Sequence, residues 1–372
     1  MRPVAGGTCA VARAHGGQGQ TTGLVMDVQI ALLLSQDGLT NGAIYALLAL
    51  AIVLVFVVTR VLWVPQGEFV SYGALTLASL QLGKVPGTVW LLVCAGLATA
   101  LVDGVVAWRE GRWRRLPRSL AFNVALPLAL AALATWLAPR NPPLIVQIVL
   151  SIALIVPLGA MVYRLAFQPL QRASVLVLLI VSVAVHFAMQ GLGLVFFGPE
   201  GARTPAFTDA RFELGVMTVS GQSLLVIGAS MLLIIVLYLF FERTIYGKAL
   251  RATAVNRTGA RLVGISTTLA GKLTFTLAAG IGAVSGILVA PIATIYYDSG
   301  FLIGLKGFVG SVVGAIVSYP LAAVGAVLVG MLESFGSFYA SALKEVIVFT
   351  ALLPVLVWLS LRTRHVEEED EE

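Results

Sequence analysis

The feature that most constrains this chain is its succession of apolar runs. Residues 42–58, 89–108, 144–162, 175–197, 223–241 and 346–361 each approach or reach the roughly 20 residues with which a helix crosses a bilayer. With 59% of its 372 residues hydrophobic, 11% charged and a mean hydropathy of +0.96, the chain has more apolar surface than one water-soluble core can use. The expected fold class is all-α: a polytopic integral membrane helical bundle with about ten transmembrane segments, some short or broken. The lipid bilayer is its solvent.

Charge orients the bundle. A basic island at 242–266 and just beyond carries Arg243, Lys248, Arg251, Arg257, Arg261 and Lys272 against the single acid Glu242. Placing it in the cytoplasm and alternating sides brings Arg60, the Arg109 to Arg118 cluster, Arg164, Arg172, Arg362 and Arg364 inside as well, sixteen of the 24 cations. That is the positive-inside pattern, so the net charge of +6 is read as orientation and no nucleic-acid partner is expected. Cys9 and Cys94 support neither a disulfide framework nor a metal site.

Three regions follow along the chain. Residues 1–25, rich in Gly, Thr and Gln, read as a mis-assigned or disordered N-terminal extension with Met26 the true start; residues 26–362 form one transmembrane domain; 363–372 are an acidic, disordered tail. Between 198 and 222 lies the longest polar stretch outside the spans, an irregular loop with room for a short hairpin. The last third is rich in glycine. The GxxxG pairs Gly282/Gly286 and Gly310/Gly314 offer small faces for close helix contact, expected with another subunit, and Tyr319–Pro320 divides an apolar run in two.

The basic island has its own grammar. Residues 242–254 can continue the preceding helix, Asn256 is placed to cap a short helix over 257–263, and Gly264 stands where a helix-ending glycine belongs. The result is a projecting knob, or an ordinary amphipathic loop; composition leaves both open. Among polar residues, Glu68 and Lys306 lie in or beside apolar segments, where charge is expensive and therefore functional by default. Lys306 snorkelling to the interface is the alternative, and for His186 the competing reading is a packed core histidine.

The spacing Gly247-x3-Arg251-Ala252-x3-Asn256-x3-Ala260-x3-Gly264-Ile265 resembles the cytoplasmic loop of the Liv-type branched-chain amino-acid ABC transporter permeases. GLTNGAIYALLALAIVLVF from Gly38, Gly67-Glu68-Phe69 with Gly73-Ala74, QPLQR at 168–172 and Gly304-Leu305-Lys306-Gly307-Phe308 extend the likeness over most of the chain. The resemblance implies a subunit of an ATP-driven importer in the bacterial inner membrane, with the loop and C-terminus cytoplasmic. Gly247, Arg251, Ala252, Asn256, Ala260 and Gly264 would shape contact with an ATPase. Its partners would be a second permease, related or identical, two ATP-binding cassette subunits and a periplasmic substrate-binding protein. No cofactor is expected on this chain; ATP is used by the partner subunits. The chain has no G-x-x-x-x-G-K-[ST] motif, because its Gly-Lys pairs at 83, 247 and 271 are followed by Val, Ala and Leu, so no enzymatic role is expected.

Asn41, Gln66, Gly67, Glu68, His186 and Lys306 form the candidate translocation path. Two stretches depart from the family pattern: Pro65-Gln66 stands in place of an Ala-His-like pair, and Ser182 to His186 in place of a Thr-x-Gly stretch. Branched-chain amino acids, urea, amides and aromatic acids all stay open as cargo. The competing function is an autonomous secondary transporter or channel, which also uses broken helices and intramembrane charge.

Overall fold

The computed structural model describes residues 18–111, 116–171, 173–214, 217–314 and 318–363. In chain order the elements are α1 (Gln18–Thr59), α2 (Gln66–Gln81), α3 (Thr88–Glu110), α4 (Leu116–Leu120), α5 (Leu126–Leu137), α6 (Leu144–Val162), α7 (Val175–Phe197), the strands β1 (Arg211–Leu214) and β2 (Met217–Ser220), then α8 (Gly221–Arg243), α9 (Ile245–Val255), α10 (Arg257–Leu262), α11 (Thr267–Val289), α12 (Ser299–Val313), α13 (Tyr319–Tyr339), α14 (Lys344–Thr350) and α15 (Leu352–Thr363). One π turn, Ala121–Ala125, joins α4 to α5, and another, Tyr163–Phe167, extends α6. Helix α1 already runs at residues 18–25, which the composition assigned to the extension; residues 1–17 and the tail from 364 lie outside the described residues.

Among the described residues, eight helical segments are long and apolar enough to span a membrane: Gln29–Thr59 within α1, Thr88–Glu110, Ala121–Arg140, Leu144–Phe167, Val175–Phe197, Gly221–Arg243, Thr267–Val289 and Tyr319–Tyr339. Helices α2 and α12, at 16 and 15 residues, reach only about 24 Å and 22 Å at 1.5 Å per residue. These are the short segments that complete the expected set. Nearly all of α2 is buried, packed by α6, α11 and α12, which lets it carry polar side chains away from lipid.

Glycine sets how close these helices come. Gly67 at the start of α2 lies against the backbone of Gly300 and Gly304 on α12, and Gly286 on α11 lies against Val70 and Ala74. Gly38 and Gly42 of α1 meet Gly330, Met331 and Val327 of α13; Gly310 and Gly314 meet Ala326 and Ala322. A Cβ at any of these sites would strike backbone, so the small-residue faces are consumed inside the chain. That corrects the expectation that they pair with a second subunit.

At the α2 entry the chain turns at Arg60, which adopts a left-handed φ of 64°, and buries Val61, Trp63 and Pro65. Trp63 packs against Phe275 at 4.7 Å and Phe167 at 5.6 Å between ring centres, and Tyr163 packs on the same Phe275 at 5.1 Å. This aromatic floor closes the bundle beneath α2. The break expected at Tyr319–Pro320 is present, with Pro320 in the first turn of α13 where its missing N–H costs nothing. The 198–220 loop contains the expected hairpin, β1 against β2 antiparallel with Arg211 opposite Ser220, and is tied to the α11–α12 connection by the bridge Ala202–Ile295.

Candidate coupling loop and translocation path

The basic island folds as two short helices. Thr244 breaks the chain between α8 and α9 with an extended ψ of 150°, and its hydroxyl accepts from the Gly247 N–H at 3.0 Å. The helix therefore restarts, where the sequence pattern suggested that it continued. Asn256 then caps α10, its Oδ1 accepting from the Gly259 N–H at 2.8 Å. Gly264 has φ +85°; its N–H donates to the Arg261 carbonyl at 3.0 Å and the Ile265 N–H to the Ala260 carbonyl at 2.9 Å. This pair of bonds is the Schellman ending, which glycine permits because the left-handed conformation costs it nothing. Cap, helix and stop are all read directly from Asn256 and Gly264.

The knob is fixed to the bundle. Leu250 packs with Leu54 and Val58 of α1 and Ala270 of α11, with Phe240, Phe241 and Ala254 around them. Arg257 Nη1 donates to the Thr59 carbonyl at 3.4 Å, and Arg261 Nε to Thr267 Oγ1 at 3.1 Å. Burial of the Arg257 guanidinium pulls its pKa down from the usual arginine range, with neighbouring Tyr163 opposing the shift. Any tilt of the knob is thus passed to α1 and α11.

The six loop residues divide by position. Gly247 and Ala260 face inward, Gly247 against the backbone of Phe240 and Phe241, so their smallness serves packing within the chain. Arg251, Ala252, Asn256 and Gly264 are exposed. Arg251 meets Glu242 of its own chain at 2.9 Å, an exposed pair that is easily exchanged for another acid. Missing from the sequence reading are the exposed apolar residues of the same loop: Val255, Leu262 and Val263 are 88%, 84% and 76% exposed, and Ile245 and Tyr246 are exposed as well. Apolar positions in a highly charged loop were the available signal.

The path residues separate into two clusters. In the first, His186 Nδ1 of α7 lies 3.0 Å from Glu68 Oε1 of α2 without hydrogen-bond alignment, and neither Glu68 oxygen has a hydrogen-bond partner. Glu68 is fully buried and His186 nearly so, with Phe301 of α12 stacked on the imidazole at 4.6 Å. Gln66 Nε2 donates to the Ala278 carbonyl of α11 at 3.0 Å, and the Val64 N–H to Ser182 Oγ at 3.0 Å. Gly67 completes the contact with α12. This cluster joins α2, α7, α11 and α12 in the buried interior of the bundle.

In the second, Lys306 of α12 is buried and reaches Glu333 Oε1 of α13 at 2.5 Å and Glu345 Oε1 of α14 at 3.3 Å. Tyr45 of α1 donates to Glu333 Oε2 at 2.5 Å. Lys306 does not snorkel; it is neutralised within the bundle. Glu333 also forms part of the wall of a cavity of about 540 Å³, into which Asn41 faces from α1. The structure therefore joins Asn41 to the surroundings of Lys306 and keeps Glu68 and His186 apart from both.

Among the described residues, eight helices long and apolar enough to cross a membrane, packed with the shorter α2 and α12, define a multi-pass membrane protein. The profile of the family described as branched-chain amino acid transport system, permease component, matches residues 118–357, and the chain belongs to that family. The high-affinity branched-chain amino acid transport system permease protein BraD of Pseudomonas aeruginosa is 26% identical over 292 residues, 76% of this chain and 93% of its own. LivH of Escherichia coli K12, a permease protein of the same kind of system, is 25% identical over 345 residues, 89% of this chain and 95% of its own. A probable branched-chain amino acid transport permease protein LivH of Methanocaldococcus jannaschii is 27% identical over 202 residues, 52% of this chain and 64% of its own. No solved structure matches the chain.

Proposed function

We propose that this chain is the membrane permease subunit of an ATP-driven ABC importer in the bacterial inner membrane, carrying branched-chain amino acids or a related small polar solute. A periplasmic binding protein delivers the solute at the hairpin end. A second permease, related or identical, completes the pathway, and two ATP-binding cassette subunits bind and hydrolyse ATP at the cytoplasmic knob. The observation that carries this reading is the knob itself: Val255, Leu262 and Val263 stand exposed on a cation-rich loop whose base is bolted to α1 and α11. An apolar patch rimmed by charge, held out of the bundle, is what a docking contact requires.

Closure of the ATPase pair would move the knobs as rigid bodies and so bias the bundle between outward and inward openings. Exposed Arg251 would trade Glu242 for an acid on the ATPase, while Gly247 and Ala260 hold the knob's shape. The experiment is co-purification of the ATPase subunits encoded beside this chain with the wild type and with Leu262→Asp and Val255→Asp. The wild type should retain them and both variants should lose them. Full retention by variants that melt like the wild type would remove the docking assignment.

A further inference from the structure

Arg257 stands where local electrostatics disfavours it. It is the first residue of α10, where free backbone N–H groups repel a cation, and it is half-buried with the charges of Arg60 and Arg261 acting against its own. Among the described residues no acid lies within ion-pair range of it. Its guanidinium instead meets the opposite kind of helix end, Nη1 donating at 3.4 Å to the carbonyl of Thr59, the last residue of α1. That carbonyl finds no partner inside α1, and a cation is favourable at a helix C-terminus.

Two contacts seat the knob on α1, and they differ in kind. Leu250 of α9 lies in an apolar socket with Leu54, Val58 and Ala270; burial of this sort has no direction, so the knob can turn on it. Arg257 ties α10 to one carbonyl. Among the described residues this is the only side-chain hydrogen bond from α10 to an element distant in sequence, because Arg261 reaches only Thr267, six residues on. From Thr59 the chain uses residues 60–65 to enter α2: Arg60 turns it at φ 64°, Trp63 packs on Phe275 and Phe167, and Pro65 precedes Gln66 and Gly67. Gly67 in turn lies on the backbone of Gly300 and Gly304 of α12. Motion delivered at Thr59 therefore enters both short helices.

We propose that Arg257 is the positioning residue that converts movement of the knob into movement of α2, with Leu250 as the pivot. The inference rests on the reading of the knob as an ATPase dock and adds the point at which motion leaves it. Without the guanidinium the ATPase subunits still bind and hydrolyse ATP, but the knob turns on Leu250 and leaves α2 where it was. The result is hydrolysis without transport.

The test uses the full assembly of this chain with its permease and ATPase partners in proteoliposomes, supplied with the binding protein, and reads leucine taken up per ATP hydrolysed. Arg257→Gln should retain the ATPase subunits and their hydrolysis while uptake per ATP falls about fivefold or more, the scale of one hydrogen bond to a charged group. Arg257→Lys, which still offers the carbonyl a cation, should recover part of that loss. Hydrogen exchange of the same assembly, with and without a non-hydrolysable ATP analogue, gives a second reading that needs no solute. In the wild type the analogue should alter exchange both in the knob at 245–263 and in the turn at 60–66; in Arg257→Gln it should alter the knob alone. Uptake per ATP equal to the wild type, a response at 60–66 that survives in Arg257→Gln, or Arg257→Lys no better than Arg257→Gln overturns the inference and leaves the dock standing. Loss of the ATPase subunits by an Arg257→Gln chain that melts like the wild type also overturns it, because the residue would then belong to the dock. Wild-type uptake without ATP overturns the importer reading and this inference with it.

Discussion

Glu68–His186 and Lys306–Glu333 are both acid–base pairs buried in the same bundle, yet they are built for different ends. The first is sparsely connected: its carboxylate has no aligned hydrogen-bond partner in the protein, its imidazole is covered by Phe301, and the pair ties α2 to α7. The second is well connected, with one ammonium on two carboxylates and a phenol on one of them, and it borders a polar cavity. Burial alone therefore does not mark a transport path. What separates them is how many partners share the charge and whether the cluster reaches the wall of a polar cavity.

The contrast can be broken by substitution. Lys306→Met leaves Glu333 and Glu345 facing each other without their cation, and stranding buried charge in this way costs about 3–5 kcal/mol. Reversible unfolding of the purified chain should show the largest loss there. His186→Ala removes a packed ring and leaves Glu68 alone, a loss of about 2–4 kcal/mol. Glu68→Gln keeps the shape and discards only charge, so stability should change by no more than about 1 kcal/mol. A loss with Glu68→Gln as large as with Lys306→Met would show that the two pairs are alike after all.

The most local effect belongs to the knob. Gly264→Ala places a Cβ at φ +85°, a cost of about 1 kcal/mol, and should loosen the end of α10 without disturbing either buried pair. Hydrogen exchange confined to residues 257–265 would show it. Spread of the exchange into α1 or α11 would mean that the knob and the spans unfold as one unit.

Local chemistry made much of this legible. Apolar runs located the spans, Asn256 and Gly264 marked the ends of α10, and Pro320 marked the start of α13, because each signal lies within a few residues of what it determines. Partners distant in sequence were not legible. Glu333 and Glu345 read as ordinary acids until α13 and α14 bring them to Lys306, and Gly67 shows its purpose only against Gly300 and Gly304. The Thr244 break was hidden because no proline or turn dipeptide marks it, and only the capping of the Gly247 N–H by the Thr244 hydroxyl reveals it.

The most direct test of the account is ATP-driven uptake of labelled leucine into proteoliposomes holding the chain with its ATPase and permease partners and supplied with the binding protein. The comparison is between the wild type and Leu262→Asp. The account predicts uptake that requires ATP and falls at least tenfold in the variant, with the thermal stability of the chain unchanged. Uptake equal in the two, or by the single chain without ATP, would contradict it.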